Sequence, residues 1–98
     1  MKNITKIGQS FKNIARLRKK VDEIDDEIIN LLGKRQSMVK SIGKIKKSNG
    51  VEILSAARER QILERILLNG EKKKVDLELI DRIYRVIFKN SRKVKRSV

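Results

Sequence analysis

The chain has 98 residues, 26 of them Lys or Arg and 12 Asp or Glu, with a formal charge of +14 and no Cys, His, Pro or Trp. That length suits one small domain. The composition excludes a disulfide framework and a thiol nucleophile, a Ser-His-Asp triad, and the usual zinc ligands. No phosphate-cradling glycine motif occurs. Apolar runs never exceed three residues, so no membrane span is expected. Residues 1–15 begin basic but lack the apolar stretch of a secretory signal. A soluble, intracellular protein is the expectation.

Taken in chain order, residues 1–11 read as a polar N-terminal extension, frayed or loosely helical. The remainder, 12–98, reads as one helical domain. Apolar positions Ile14, Leu17, Val21, Ile24, Ile28, Leu31, Leu32, Met38, Val39, Ile42 and Ile45 draw one stripe along a helix of about 12–47. Ser48-Asn49-Gly50 is its stop signal. A second stripe, Ile62, Leu63, Ile66 and Leu67, has Ser55 as N-cap and Asn69-Gly70 as its end. Residues 71–75 form a loop. A third stripe runs Leu77, Ile80, Ile83, Tyr84, Ile87, Phe88, Ser91 and Val94 behind Asp76 as N-cap. The fold class is all-α, with three helices and a long first one.

Length bears on assembly. A first helix of about 35 residues is roughly 52 Å long, while helices of about 15 and 20 residues span only roughly 22 and 30 Å. The shorter pair cannot cover the whole stripe, so a second copy is expected to cover the rest in an intertwined, antiparallel homodimer. The alternative is a monomer whose first helix breaks near Gly33 or Gly43.

Several polar residues lie at or near the stripe positions. Arg18, Arg35 and Lys46 do so on the first helix, Arg58 and Glu59 on the second, Ser91 and Lys95 on the third. An unpaired buried charge costs several kcal/mol. Five of these residues are cations and one is an anion, and the surplus asks for an anionic ligand, one with two negative groups. Arg35 and Lys46 are eleven residues apart, about three turns or roughly 16 Å, within reach of one small molecule. Arg18 and Arg35 are roughly 25 Å apart, so Arg18 can join Arg35 only across an antiparallel dimer. Against this stands the ordinary reading of a lone stripe cation as a snorkelling or partner-selecting residue.

The run Leu17-Arg18-Lys19-Lys20-Val21-Asp22-Glu23-Ile24-Asp25, then Ile28 to Leu32 and Lys34-Arg35, resembles the first helix of the all-helical (AroQ-class) chorismate mutases. Gly43-Lys44-Ile45-Lys46 and Arg58-Glu59-Arg60 extend the resemblance, which covers about residues 14–95. It implies an intertwined dimer and the unimolecular rearrangement of chorismate, a dicarboxylate, to prephenate in aromatic amino acid biosynthesis. That reaction needs no cofactor and no metal. By resemblance, Arg18 of the partner subunit, Arg35 and Arg58 bind the two carboxylates. Lys46 donates to the ether oxygen, Glu59 accepts from the substrate hydroxyl, and Ser91 supports carboxylate binding.

Two positions depart from the family pattern. Ser55, by resemblance a substrate-binding position near the substrate hydroxyl, stands where many members have Asp; if the backbone N–H is the working group there, Ser serves as well. Lys95 stands where Gln or Glu is usual as second donor to the ether oxygen. Two readings of Lys95 stay open: an ammonium that donates beside Lys46, with mutual repulsion, or a side chain turned outward.

Other functions compete. Isochorismate-pyruvate lyases share the fold and a cationic pocket. A basic helical protein binding nucleic acid is the non-enzymatic alternative, since Arg85 to Val98 holds six basic residues and no acidic one. One Tyr and two Phe make no stacking set, which disfavours nucleic acid as partner. Another enzyme of aromatic biosynthesis is a candidate partner.

Overall fold

The computed structural model describes residues 2–52 and 54–98, with side chains from Lys6 onward. Among them are three α-helices and no strand: α1 (Lys2–Ser48), α2 (Ala56–Lys72) and α3 (Leu77–Arg96). Among the described residues, no helix is long and apolar enough to cross a membrane. The chain divides into two compact units, Met1–Arg35 and Gln36–Val98.

The first unit is the leading part of α1. It starts ten residues earlier than the pattern predicts, at Lys2, so the expected polar extension is helical across 2–11, while Met1 lies outside the described residues. The reason lies in Ile7, Phe11 and Ile14, whose four- and three-residue steps carry the apolar stripe back toward the N-terminus. A single helix has nothing to fold onto, and Phe11, Leu17, Val21, Ile24 and Ile28 are all about half exposed or more. The long first helix is borne out, and the alternative of a break near Gly33 or Gly43 is not seen, since both glycines lie inside α1.

The second unit holds the end of α1 with α2 and α3. α1 stops as the sequence indicates. Gly50, at φ +64, takes the left-handed position, and the Val51 and Gly50 N–H groups donate back to the Lys46 and Lys47 carbonyls at 2.9 and 3.3 Å. α2 and α3 form an antiparallel hairpin: Gly70, late in α2, meets Ile80, while Glu59, early in α2, meets Arg92. The end of α1 runs parallel to α3. Gln36 Nε2 donates to Asn90 Oδ1 at 3.0 Å, and the Lys47 ammonium donates to the Val98 carbonyl at 2.8 Å. Val39, Ile80 and Phe88 make the buried apolar core, with the Tyr84 ring edge-on to Phe88 at 5.8 Å.

The second helix outruns its expected end at Asn69-Gly70 and reaches Lys72. Gly70 is spent on packing: a Cβ there would overlap the Ile80 side chain. The chain instead reverses at Lys74, at φ 57, with Val75 N–H donating to the Gly70 carbonyl at 2.9 Å. The expected loop 71–75 is thereby reduced to 73–76. Asp76 caps α3 as predicted, its carboxylate accepting from the Glu78 N–H at 2.9 Å.

Candidate active site

The expected site residues of the second unit come from three helix segments: the end of α1, the start of α2 and the end of α3. Ser55 fixes the start of α2, its hydroxyl accepting from the Arg58 N–H at 3.1 Å. That cap puts Arg58 and Glu59 in the first turn, where the helix dipole favours the Glu59 carboxylate. The Arg58 side chain is exposed, and its Nη1 donates to Gln61 Oε1 at 2.7 Å on the same helix.

Glu59 is the point where α2 and α3 join by charge. Its Oε1 accepts from Arg92 Nη1 at 2.6 Å, and the carboxylate side chain is 25% exposed. Ser91, next to Arg92, is buried, and its hydroxyl donates to the Ile87 carbonyl at 2.9 Å. Lys95 lies one turn further and is half-buried.

Gly43 is what lets α1 come close to α3. A Cβ there would lie 3.3 Å from the Lys95 Cα and 3.0 Å from a Val98 methyl. Without a side chain at 43, the half-buried Lys46, three residues on, belongs to the same helix end that packs on α3. The Lys95 stem lies against this contact, its Cγ 3.5 Å from where a Gly43 Cβ would be.

Two expected residues lie in the other unit. Arg18 is exposed on α1, and Arg35, the unit's last residue, is half-buried. Within the second unit, a direct contact brings Glu59 to the segment carrying Ser91 and Lys95, while Gly43 brings the α1 end to Lys95. Arg58 is held to its own helix.

Sequence reasoning passed over Arg92. Part of the signal was there: Arg92 follows Phe88 by four residues, on the stripe of Tyr84 and Phe88, while Glu59, at the same open end of the hairpin, becomes its partner only through the hairpin register. Gln36 and Asn90, which tie α1 to α3, were also not singled out.

The model of the family chorismate mutase type II matches residues 17–96. A chorismate mutase of Methanocaldococcus jannaschii is 29% identical over 86 residues, covering 88% of this chain and 87% of the relative. A bifunctional chorismate mutase/prephenate dehydratase of Aquifex aeolicus is 44% identical over 62 residues, which is 62% of this chain but 17% of that protein. The T-protein of Haemophilus influenzae is 33% identical over 75 residues, 76% of this chain and 20% of its own length. The chain therefore spans nearly all of the first relative and about a fifth or less of the other two. With four-fifths of its length matched by the family model, the chain belongs to the chorismate mutase type II family, a family of isomerases.

Proposed function

We propose that the chain converts chorismate to prephenate in the cytoplasm, as a homodimer. The observation that carries this reading is the convergence of Glu59 with the Ser91–Lys95 turn of α3, beside the Gly43 contact that carries Lys46, in a chain with the family match. The rearrangement breaks the ether C–O bond and forms a C–C bond within one molecule. It needs a fixed chair-like conformer and a donor at the oxygen that gains negative charge. Lys46 fills the donor role, with Lys95 as a second donor. Glu59 accepts from the substrate hydroxyl, which orients the ring. Arg35 and Arg58 take the carboxylates with the partner's Arg18, and guanidinium forks suit that geometry. Ser55 contributes by capping α2 and thereby setting Arg58 and Glu59. Ser91 has one hydroxyl proton, so donating to a substrate carboxylate means giving up the Ile87 carbonyl as its acceptor.

The homodimer is supported by the first unit. Leu17, Val21, Ile24 and Ile28 repeat on one face of α1 and are 53, 53, 55 and 48% exposed in the single chain. A row of that kind marks a surface to be covered. The bifunctional relatives make a second enzyme of aromatic biosynthesis a reasonable further partner.

The deciding experiment is the loss of chorismate absorbance, with the product identified, in wild type and Arg35→Ala. Turnover to prephenate is expected in the wild type, with a loss of roughly 100-fold or more in the variant. No turnover by wild type sinks the reading. Pyruvate and salicylate formed from isochorismate, without prephenate from chorismate, would replace it with the lyase reaction.

A further inference from the structure

We propose that Arg92 is a positioning residue for Glu59: the guanidinium on α3 fixes the carboxylate of α2 in the orientation that accepts a substrate hydroxyl. This rests on the proposed function for the role of Glu59, but the ion pair itself stands on geometry.

A charge-assisted contact of 2.6 Å joins residues 33 apart in sequence, with side chains 37% and 25% exposed. Its character differs from that of two other ion pairs, Arg82–Glu78 and Arg85–Asp81, which are four residues apart within α3. Those pairs brace a solvent-exposed helix surface, where ion pairs are screened and contribute little. Arg92 reaches across the hairpin.

The location gives the pair its function. Glu59 follows Arg58 directly and has three side-chain torsions of its own. Arg92 follows the buried Ser91 directly and precedes Lys95 by three residues. The contact therefore ties the acceptor on α2 to the helix that presents the other polar groups of the site. It also occupies one carboxylate oxygen, Oε1, and a carboxylate accepts at its second oxygen in its own right. Arg58, the adjacent cation, is engaged by Gln61 on its own helix and does not serve Glu59 as a counter-charge. Arg92 supplies a fixed one and holds the second oxygen for the ligand.

The test compares Arg92→Gln and Arg92→Lys, each in wild type and in Glu59→Gln. The expected result for Arg92→Gln is a drop in kcat of about tenfold with KM changed by less than about twofold. Arg92→Lys should recover most of the loss. In the Glu59→Gln background, Arg92→Gln should cost little more, because the carboxylate it positions is gone. A rise in KM without a fall in kcat would overturn the proposal by making Arg92 a substrate-binding group. Equal losses in both backgrounds would overturn it too.

A second readout needs no turnover. In the substrate-free protein, the Glu59 side-chain carboxylate 13C resonance should move in Arg92→Gln and return toward its original position in Arg92→Lys. An unmoved resonance refutes the positioning role. Absent turnover by wild type together with a moved and rescued resonance instead places the failure in the proposed function. Far-UV circular dichroism identifies any variant that fails to fold, and the Lys variant carries the test if the Gln variant does.

Discussion

The two halves of this chain make opposite use of the same raw material. Met1–Arg35 and Gln36–Val98 are both helical, basic and regularly striped with Ile, Leu and Val. In the second unit three helix segments meet, so Val39, Ile80 and Phe88 are buried at 8% exposure or less. In the first unit one helix carries a longer stripe that its own unit leaves exposed. Secondary structure here is not evidence of self-sufficiency: an isolated helix gains little from propensity alone and depends on a surface to pack against. One half is a small folded core, and the other is a helix whose apolar face its own unit leaves uncovered.

The sharpest way to break that contrast is to charge the uncovered stripe. Ile28→Asp places a carboxylate on a face that the proposed homodimer buries, and a buried unpaired charge costs several kcal/mol. Dissociation to monomer is expected, with a weakening of association by about a hundredfold or more for every ~3 kcal/mol lost. Far-UV circular dichroism should fall as residues of the first unit lose helicity. Sedimentation velocity measures the first effect directly. An unchanged mass would mean that Ile28 faces water in the assembled protein.

The corresponding attack on the second unit is Phe88→Ala. Phe88 is 6% exposed and touches Tyr84 edge-on. The loss should be about 3 kcal/mol, at the lower end of the range for Phe truncation because the core around it is small. Chemical denaturation reads it. The outcome expected of the comparison is a lower midpoint without an altered subunit mass at high protein concentration, the reverse of the Ile28→Asp result.

The same contrast governs what could be read in advance. The three helices, the caps at Ser55 and Asp76 and the stop at Gly50 were legible because they are local: each depends on residues within one turn. The start of α1 and the end of α2 were not. Ile7 and Phe11 continue the Ile14 stripe through a stretch that is otherwise polar, and that polarity hides the start of the helix. Gly70 looked like a terminator, yet its lack of a side chain serves Ile80, ten residues away and on another helix. At the site, the sequence pointed to Glu59, Ser91 and Lys95, and the structure brings the first to the α3 segment that carries the other two. It could not point to Arg92 as the partner of Glu59, because that pairing depends on the hairpin register. The inward direction expected of Arg58 is likewise a property of packing, and in the single chain its guanidinium is engaged by Gln61 at the surface.

The smallest effect tests the turn that replaced the expected one. Lys74 occupies the left-handed region at φ 57, where a side chain other than Gly or Asn carries a cost of roughly 1 kcal/mol. The conformation persists because the Val75 N–H reaches the Gly70 carbonyl and the Lys73 N–H reaches the Asn69 carbonyl, closing the end of α2. Lys74→Gly removes the Cβ clash but gives the unfolded chain more freedom, and the two effects oppose each other. At φ near +57 the folded-state relief should win, leaving a net stabilisation of about 0.5 kcal/mol. Denaturation midpoints can resolve that gain, with subunit mass and chorismate turnover as controls far from the change. A loss of stability would show that the Lys74 side chain contributes more than its backbone strain costs.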